Sequence, residues 1–333
     1  MKPEHAGKTV AGAMMRLDMR SLQHENGGVW NGWYTECVHT YMDMRRLENV
    51  LENEREQPAD YNAWWYSCIP MTKISESNLP LPLFIRFDDV EFGLRGGSDI
   101  VMLNGVCLWH EPFEYKYASS MEYYHMRNGL IVDALRRRDV SGRAVEKHFI
   151  HMALSNLVRY RYDNVELLFR GAEDFLEGPE FLLSTDPEAL HKTLMAAGDK
   201  FRPLSEMDVA FDERKYLANY ERVNTPFSRA LRGEDGGAPL VRSWTAGDVL
   251  GHIWRRITLN GLLLPAKGDN VVNAVANVTS DYFRKRAVLN YNPADNRGFV
   301  SRRDTKRSFK LLFEIFRRGR ALGAGYEKAA EAY

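Results

Sequence analysis

The stretch Leu79–Arg95, LPLPLFIRFDDVEFGLR, sets Asp88, Asp89 and Glu91 directly behind a proline-punctuated apolar run. An apolar run of this length bounded by turn residues reads as a buried strand, LPLFIRF, over residues 81–87. Three carboxylates at the end of such a strand are out of place, because adjacent Asp88 and Asp89 repel each other unless one is solvated, protonated or paired with a cation. Carboxylates held that way suit general-base work or the binding of ligand hydroxyls.

Two neighbouring stretches repeat the pattern. YNAWWYSCIP (61–70) is a strand candidate closed by Pro70, and it carries Trp64 and Trp65. DIVMLNGVCLWH (99–110) is another, with Gly105 as a bulge or turn, and it runs into WHEPF with Trp109 and His110. In open α/β sheets ligands collect at the carboxyl ends of strands. There His110 could offer an imidazole nitrogen to a divalent metal. Each element alone has an ordinary reading. An Asp pair is at home in a solvated loop or a helix cap, a histidine beside a tryptophan in a hydrogen-bonded core, and paired tryptophans in plain packing.

Farther out, GKTVAGAMMRLDMRSLQ (7–23) reads as a strand over Val10–Leu17, with Gly7 and Gly12 permitting close backbone approach. TECVHTYMDMRRLENVLENEREQ (35–57) keeps Val38, Tyr41, Met44, Leu47 and Leu51 near helical spacing and predicts an amphipathic helix. From about residue 120 the period becomes 3.6, through YYHMRN with His125, and a long helical run ends at Gly178-Pro179. Asp186 is an N-cap ahead of Pro187. GEDGGAP (233–239) predicts a flexible loop, LNGLLLP (259–265) and RKRAVLNYN (284–292) short strands, and Thr305–Ala324 a basic terminal helix.

At 333 residues the chain has room for two domains. Lys plus Arg equals Asp plus Glu at 45 each, so overall charge selects no partner, and no nucleic-acid ligand is expected. The balance breaks locally, with twelve basic residues against four acidic ones between Asp281 and Arg320. Two readings of that segment stay open: a solvated basic face, or a surface docking on an anionic membrane. Three cysteines without a CxxC pair, and no signal peptide, point to a reduced cytoplasmic compartment.

In order and spacing, YNAWWYSCIP, LPLPLFIRFDDVEFGLR, NGVCLWHEPF and YYHMRNGLI resemble the second half of a family 2 glycosyltransferase of the galactofuranosyl- and rhamnosyltransferase-like subgroup. The resemblance covers roughly residues 7–135. It implies an α/β fold: residues 1–120 as the acceptor-side half of a GT-A-type nucleotide-diphospho-sugar transferase domain, and 121–333 as a mainly helical carboxy-terminal domain with a short β segment. It implies an inverting transfer from a UDP- or dTDP-linked sugar to a glycan or lipid-linked acceptor of the cell envelope.

By the same resemblance Asp89 is the general base and Asp88 holds the acceptor. Trp64 and Trp65 form a stacking wall, and Glu91 and Trp109 join the substrate-binding set. His125 contacts the donor phosphates, and His110 completes the coordination of Mn²⁺ or Mg²⁺. Phe87 and Phe113 stand where relatives carry tryptophan. The sequence contains no DxD, the metal-binding motif of the donor half, so a missing amino-terminal half is an expected partner. The alternative is a non-catalytic glycan- or partner-binding remnant. A hydrolase using Asp88, Asp89 and Glu91 ranks lower, because glycoside hydrolysis needs carboxyls on opposite faces of a sugar. A homo-oligomer is compatible with the sequence, which fixes no oligomeric state.

Overall fold

The computed structural model describes residues 3–223 and 246–333, apart from Glu56, Ser98 and Arg138. The expected loop at 233–239 lies outside the described residues. The architecture is mixed α/β. In the front part the strands are β1 (Thr9–Arg16), β2 (Leu22–Glu25), β3 (Gly28–Trp30), β4 (Thr35–Cys37), β5 (Met42–Asp43), β6 (Ser67–Cys68) and β7 (Ile100–His110). Helices α1 (Leu47–Asn53) and α2 (Asp88–Gly96) lie among them. Strand β1 is central, antiparallel to β2 and β6 and parallel to β7, with Arg16 opposite His110. Its residues after Thr9 are all buried, as suits a strand covered on both faces. Gly12 admits the 64–68 segment, since a Cβ there would lie 2.4 Å from the Tyr66 ring. Gly105, at φ +83°, marks the bulge where the β1–β7 register shifts.

The back part is built on α3 (Ser120–Arg136), α4 (Gly142–Leu157), α5 (Tyr162–Leu176), α6 (Pro179–Ser184), α7 (Pro187–Ala197), α8 (Glu213–Val223), α9 (Ala246–Ile257) and α10 (Thr305–Ala330). Asp186 caps α7, accepting from the backbone N–H groups of Glu188 and Ala189. A second sheet, in order β8 (Arg202–Pro203), β11 (Arg297–Arg302), β10 (Ala287–Asn292), β9 (Asp269–Asn273), lies within it. Helix α3 is buried on nearly every side. One apolar core joins its Met126, Leu130 and Ile131 to Trp30, Tyr61, Leu83 and Phe87 of the front part.

Three expectations are corrected. The helix over 35–57 forms only at Leu47–Asn53. Ahead of it His39 and Tyr41 take left-handed φ angles of 49° and 53°, which no helix tolerates, and short strands form instead. LNGLLLP is a turn, with Leu259, Asn260 and Gly261 all left-handed. The segment 81–87 is irregular. Pro80 and Pro82 cannot donate to a ladder, and Ile85 and Phe87 sit at φ 75° and 67°.

Candidate functional site

The carboxylates thus stand at the start of a helix. Asp88, Asp89 and Glu91 occupy the first turn of α2, where the partial positive charge of a helix N-terminus favours them. The segment ahead of them is fixed from α3. The Asn128 amide donates to the Arg86 carbonyl at 2.7 Å, and the Phe87 ring meets Trp30 edge-on with centroids 5.1 Å apart. Phe87 provides no side-chain cap, and the Asp89 carboxylate itself accepts from the Val90 N–H at 2.8 Å.

Burial, with a smaller push from Asp88, raises the Asp89 carboxyl to about 6, while the backbone N–H groups of Val90 and Trp64 moderate the rise. Asp89 lines a cleft with Trp64, Asn62, Phe92, Ile69 and Ile100 among others, enclosing about 30 Å³. The Trp64 indole, 36% exposed, stands edge-on to Phe92. Glu25, hydrogen-bonded to the Cys37 thiol, is pushed up to about 7 by burial, with a further push from the charge of Asp89. Spacing gave no hint of Glu25 or Asn62. The one signal was the Gly-Gly pair after Glu25-Asn26, which marks a tight turn.

The other expected residues lie elsewhere. Glu91 is fully buried and is shared by Arg95, at 2.8 Å, and Arg136 of α3, so it ties two helices together and is not in the cleft wall. Trp65 turns away from its neighbour. Its indole donates to the Gly12 carbonyl at 3.0 Å, and its ring lies 6.1 Å from His110. Trp109 is 49% exposed and donates to the Arg20 carbonyl. His125 is enclosed by Phe87 and His148, near Arg86. Its Nε2 donates to the Trp33 carbonyl at 3.1 Å, and burial lowers it to about 3, so the ring stays neutral.

His110 ends β7 opposite the buried Arg16, which pairs with Asp18 and Glu114. Its Nδ1–H donates to the Glu111 carbonyl at 2.7 Å, leaving Nε2 as the acceptor. That lone pair faces Lys116 Nζ at 3.3 Å, and both burial and this ammonium lower the His110 pKa. Among the described residues no three His, Cys, Asp or Glu side chains gather into a metal-holding group. One imidazole facing an ammonium does not fit Mn²⁺ or Mg²⁺, which want several oxygen ligands.

No protein-family model matches the chain. Over 201 residues it is 32% identical to galactofuranosyltransferase GlfT2 of Mycobacterium tuberculosis, and over 193 residues 36% identical to galactofuranosyltransferase GlfT2 of Mycolicibacterium smegmatis. These matches cover 54% and 53% of this chain, and 31% and 30% of the relatives. The chain therefore spans about a third of the length of the curated relatives it matches. Over about half of its length, the chain is similar to family 2 glycosyltransferases named for galactofuranose transfer.

Proposed function

We propose that the chain is the acceptor-side portion of an inverting glycosyltransferase of cell-envelope glycan synthesis, with galactofuranose or rhamnose as the sugar and a UDP- or dTDP-linked donor. The observation that carries this reading is Asp89, held at about 6 in a cleft beside the exposed face of Trp64. A carboxylate at that value is ionised at neutral pH yet basic enough to take a proton as a new bond forms. Asp89 removes the proton of an acceptor hydroxyl. That oxygen attacks the anomeric carbon of the donor, and the bond to the diphosphate breaks on the opposite face. The Trp64 face stacks on the acceptor ring. A second reading, a non-catalytic glycan-binding module, is favoured by Lys116, which faces the only acceptor atom that His110 offers.

The acceptor in this reading is lipid-linked, at the cytoplasmic face of the plasma membrane. No described helix is long and apolar enough to cross a membrane. Leu311 of α10 is buried, but Phe309, Phe313 and Phe316 are exposed near Lys306 and Lys310, a pattern suited to peripheral contact.

Turnover of Asp89→Asn and Asp88→Asn in the enzyme completed by its donor half, measured as transfer to a galactofuranosyl acceptor, tests the assignment. Asp89→Asn is expected to lose ~10²- to 10⁴-fold in rate with an unchanged circular dichroism spectrum. Wild-type turnover in Asp89→Asn with loss in Asp88→Asn would reverse the two roles.

A further inference from the structure

The Asp89 cleft holds a second polar group. Asn62 lines it, is 4% exposed, and has no hydrogen-bond partner at either Oδ1 or Nδ2. Buried side-chain amides are almost always paired, and leaving both ends unmet costs the desolvation of each. The fold brings the backbone just ahead of Asn62 against the helix that carries Asp89. Gly93 of α2 makes the approach possible, because a Cβ there would lie 2.4 Å from the Tyr61 Cβ and 2.9 Å from its Cα. The walls around Asn62 are largely apolar, with Ile69, Phe92 and Ile100 beside Trp64.

A primary amide presents one acceptor and one donor side by side in a plane. Two neighbouring hydroxyls on a sugar match it: one donates to Oδ1 while the oxygen of the other accepts from Nδ2. We propose that Asn62 is a positioning residue that clasps a vicinal diol of the acceptor sugar, holding a further hydroxyl toward Asp89. This rests on the transferase reading of the cleft and names its substrate class: an acceptor sugar with an intact vicinal diol beside the reacting hydroxyl. It also accounts for an amide kept at a cost to stability, since the bound diol supplies the partners that the protein withholds.

Calorimetric titration of the full chain with a galactofuranosyl disaccharide, and with analogues lacking one hydroxyl of each vicinal diol, tests this. Wild type is expected to bind one deoxy analogue about tenfold more weakly than the parent. Asn62→Ala is expected to weaken parent binding by a similar factor, to lose the preference for the intact diol, and to melt no lower than wild type. A merely structural amide would lower Tm on removal and leave the preference intact. If the wild type binds parent and deoxy analogues alike, the inference falls without recourse to any variant. If the disaccharide binds and Trp64→Ala abolishes binding while Asn62→Ala does not, the inference falls and the reading of the cleft stands. If the wild type binds no disaccharide, both fall.

Discussion

The back part of the molecule spends its polar groups, and the front part withholds some. Behind residue 140 the described side-chain atoms left buried without a partner are single ones: Arg161 Nε, Asn260 Oδ1, Arg303 Nη1 and the Tyr326 hydroxyl. The first three belong to side chains bonded through another atom, as Arg161 is to the Ala274 carbonyl and Asn290. In front, both polar atoms of Asn26 and Asn62 stand without partners. Both parts rely on glycine for close backbone approach, and the tightest instance is in the back. Helices α4 and α10 meet at Gly142 and Gly323, where a Cβ on Gly142 would lie 2.0 Å from the Gly323 carbonyl. The contrast separates scaffold from site: a region selected for stability pairs its buried polar groups, whereas a ligand cleft keeps some for the ligand.

The sharpest way to break that contrast is to damage the scaffold alone. Gly142→Val forces a branched side chain into the Gly323 backbone, which cannot yield as a flexible side chain would. It should cost about 3 kcal/mol or more in urea unfolding, with the affinity of the folded fraction for the disaccharide unchanged. An equal fall in affinity would mean that the two regions are not separable.

A smaller effect sharpens the site half. A carboxyl raised to about 6 makes its charged form a burden on the fold above that pH. The folded state holds the proton more tightly than the unfolded chain, so this burden is lifted as pH falls through 6 toward the ordinary value near 4. Asp89→Asn should therefore stabilise the protein by about 3 kcal/mol at pH 7.5 and by close to nothing at pH 4. Catalysis should move the other way, with wild-type turnover falling below pH 6 as the base is protonated. A stability difference independent of pH would remove Asp89 as the titrating group.

The smallest expected effect concerns α10. Lys306→Ala and Lys310→Ala should each weaken sedimentation with anionic liposomes by about 1 kcal/mol at low salt, with no change on neutral liposomes. Equal binding to both lipids would leave α10 as an ordinary solvated face.

How much of this was legible follows from where the information lies. Strands β1 and β7 and the Asp186 cap are written in local patterns and formed as read, while the helical run from residue 120 formed with a break at 158–161, where Tyr160 is left-handed. The 79–87 segment was misread because its conformation depends on left-handed Ile85 and Phe87, which composition does not announce, and on Asn128 some forty residues away. Glu91 looked like a third acid for the ligand. Its pairing with Arg95 is an i,i+4 contact visible only once the helix is known. The neighbourhood of Asp89 and Trp64 was legible as motif order. Asn62 and Glu25 were not, because burial without a partner is a property of three dimensions.

The placement of Asp89 within the first turn of α2 joins its chemistry to local unfolding. Its carboxylate leans on the N–H of Val90, and the first intrahelical bond runs from the Glu91 N–H to the Phe87 carbonyl at 3.0 Å. When this turn frays, the carboxylate loses a donor and the partial positive charge of the helix end together, but it also meets water, and because burial is the main cause of its raised value its proton affinity falls back toward the ordinary one. The fraction of time that the base spends competent is thus set by the opening equilibrium of a single helical turn. The exchange rates of the Val90 and Glu91 amide protons report that equilibrium directly, and turnover should track them whenever the turn is loosened from outside the cleft.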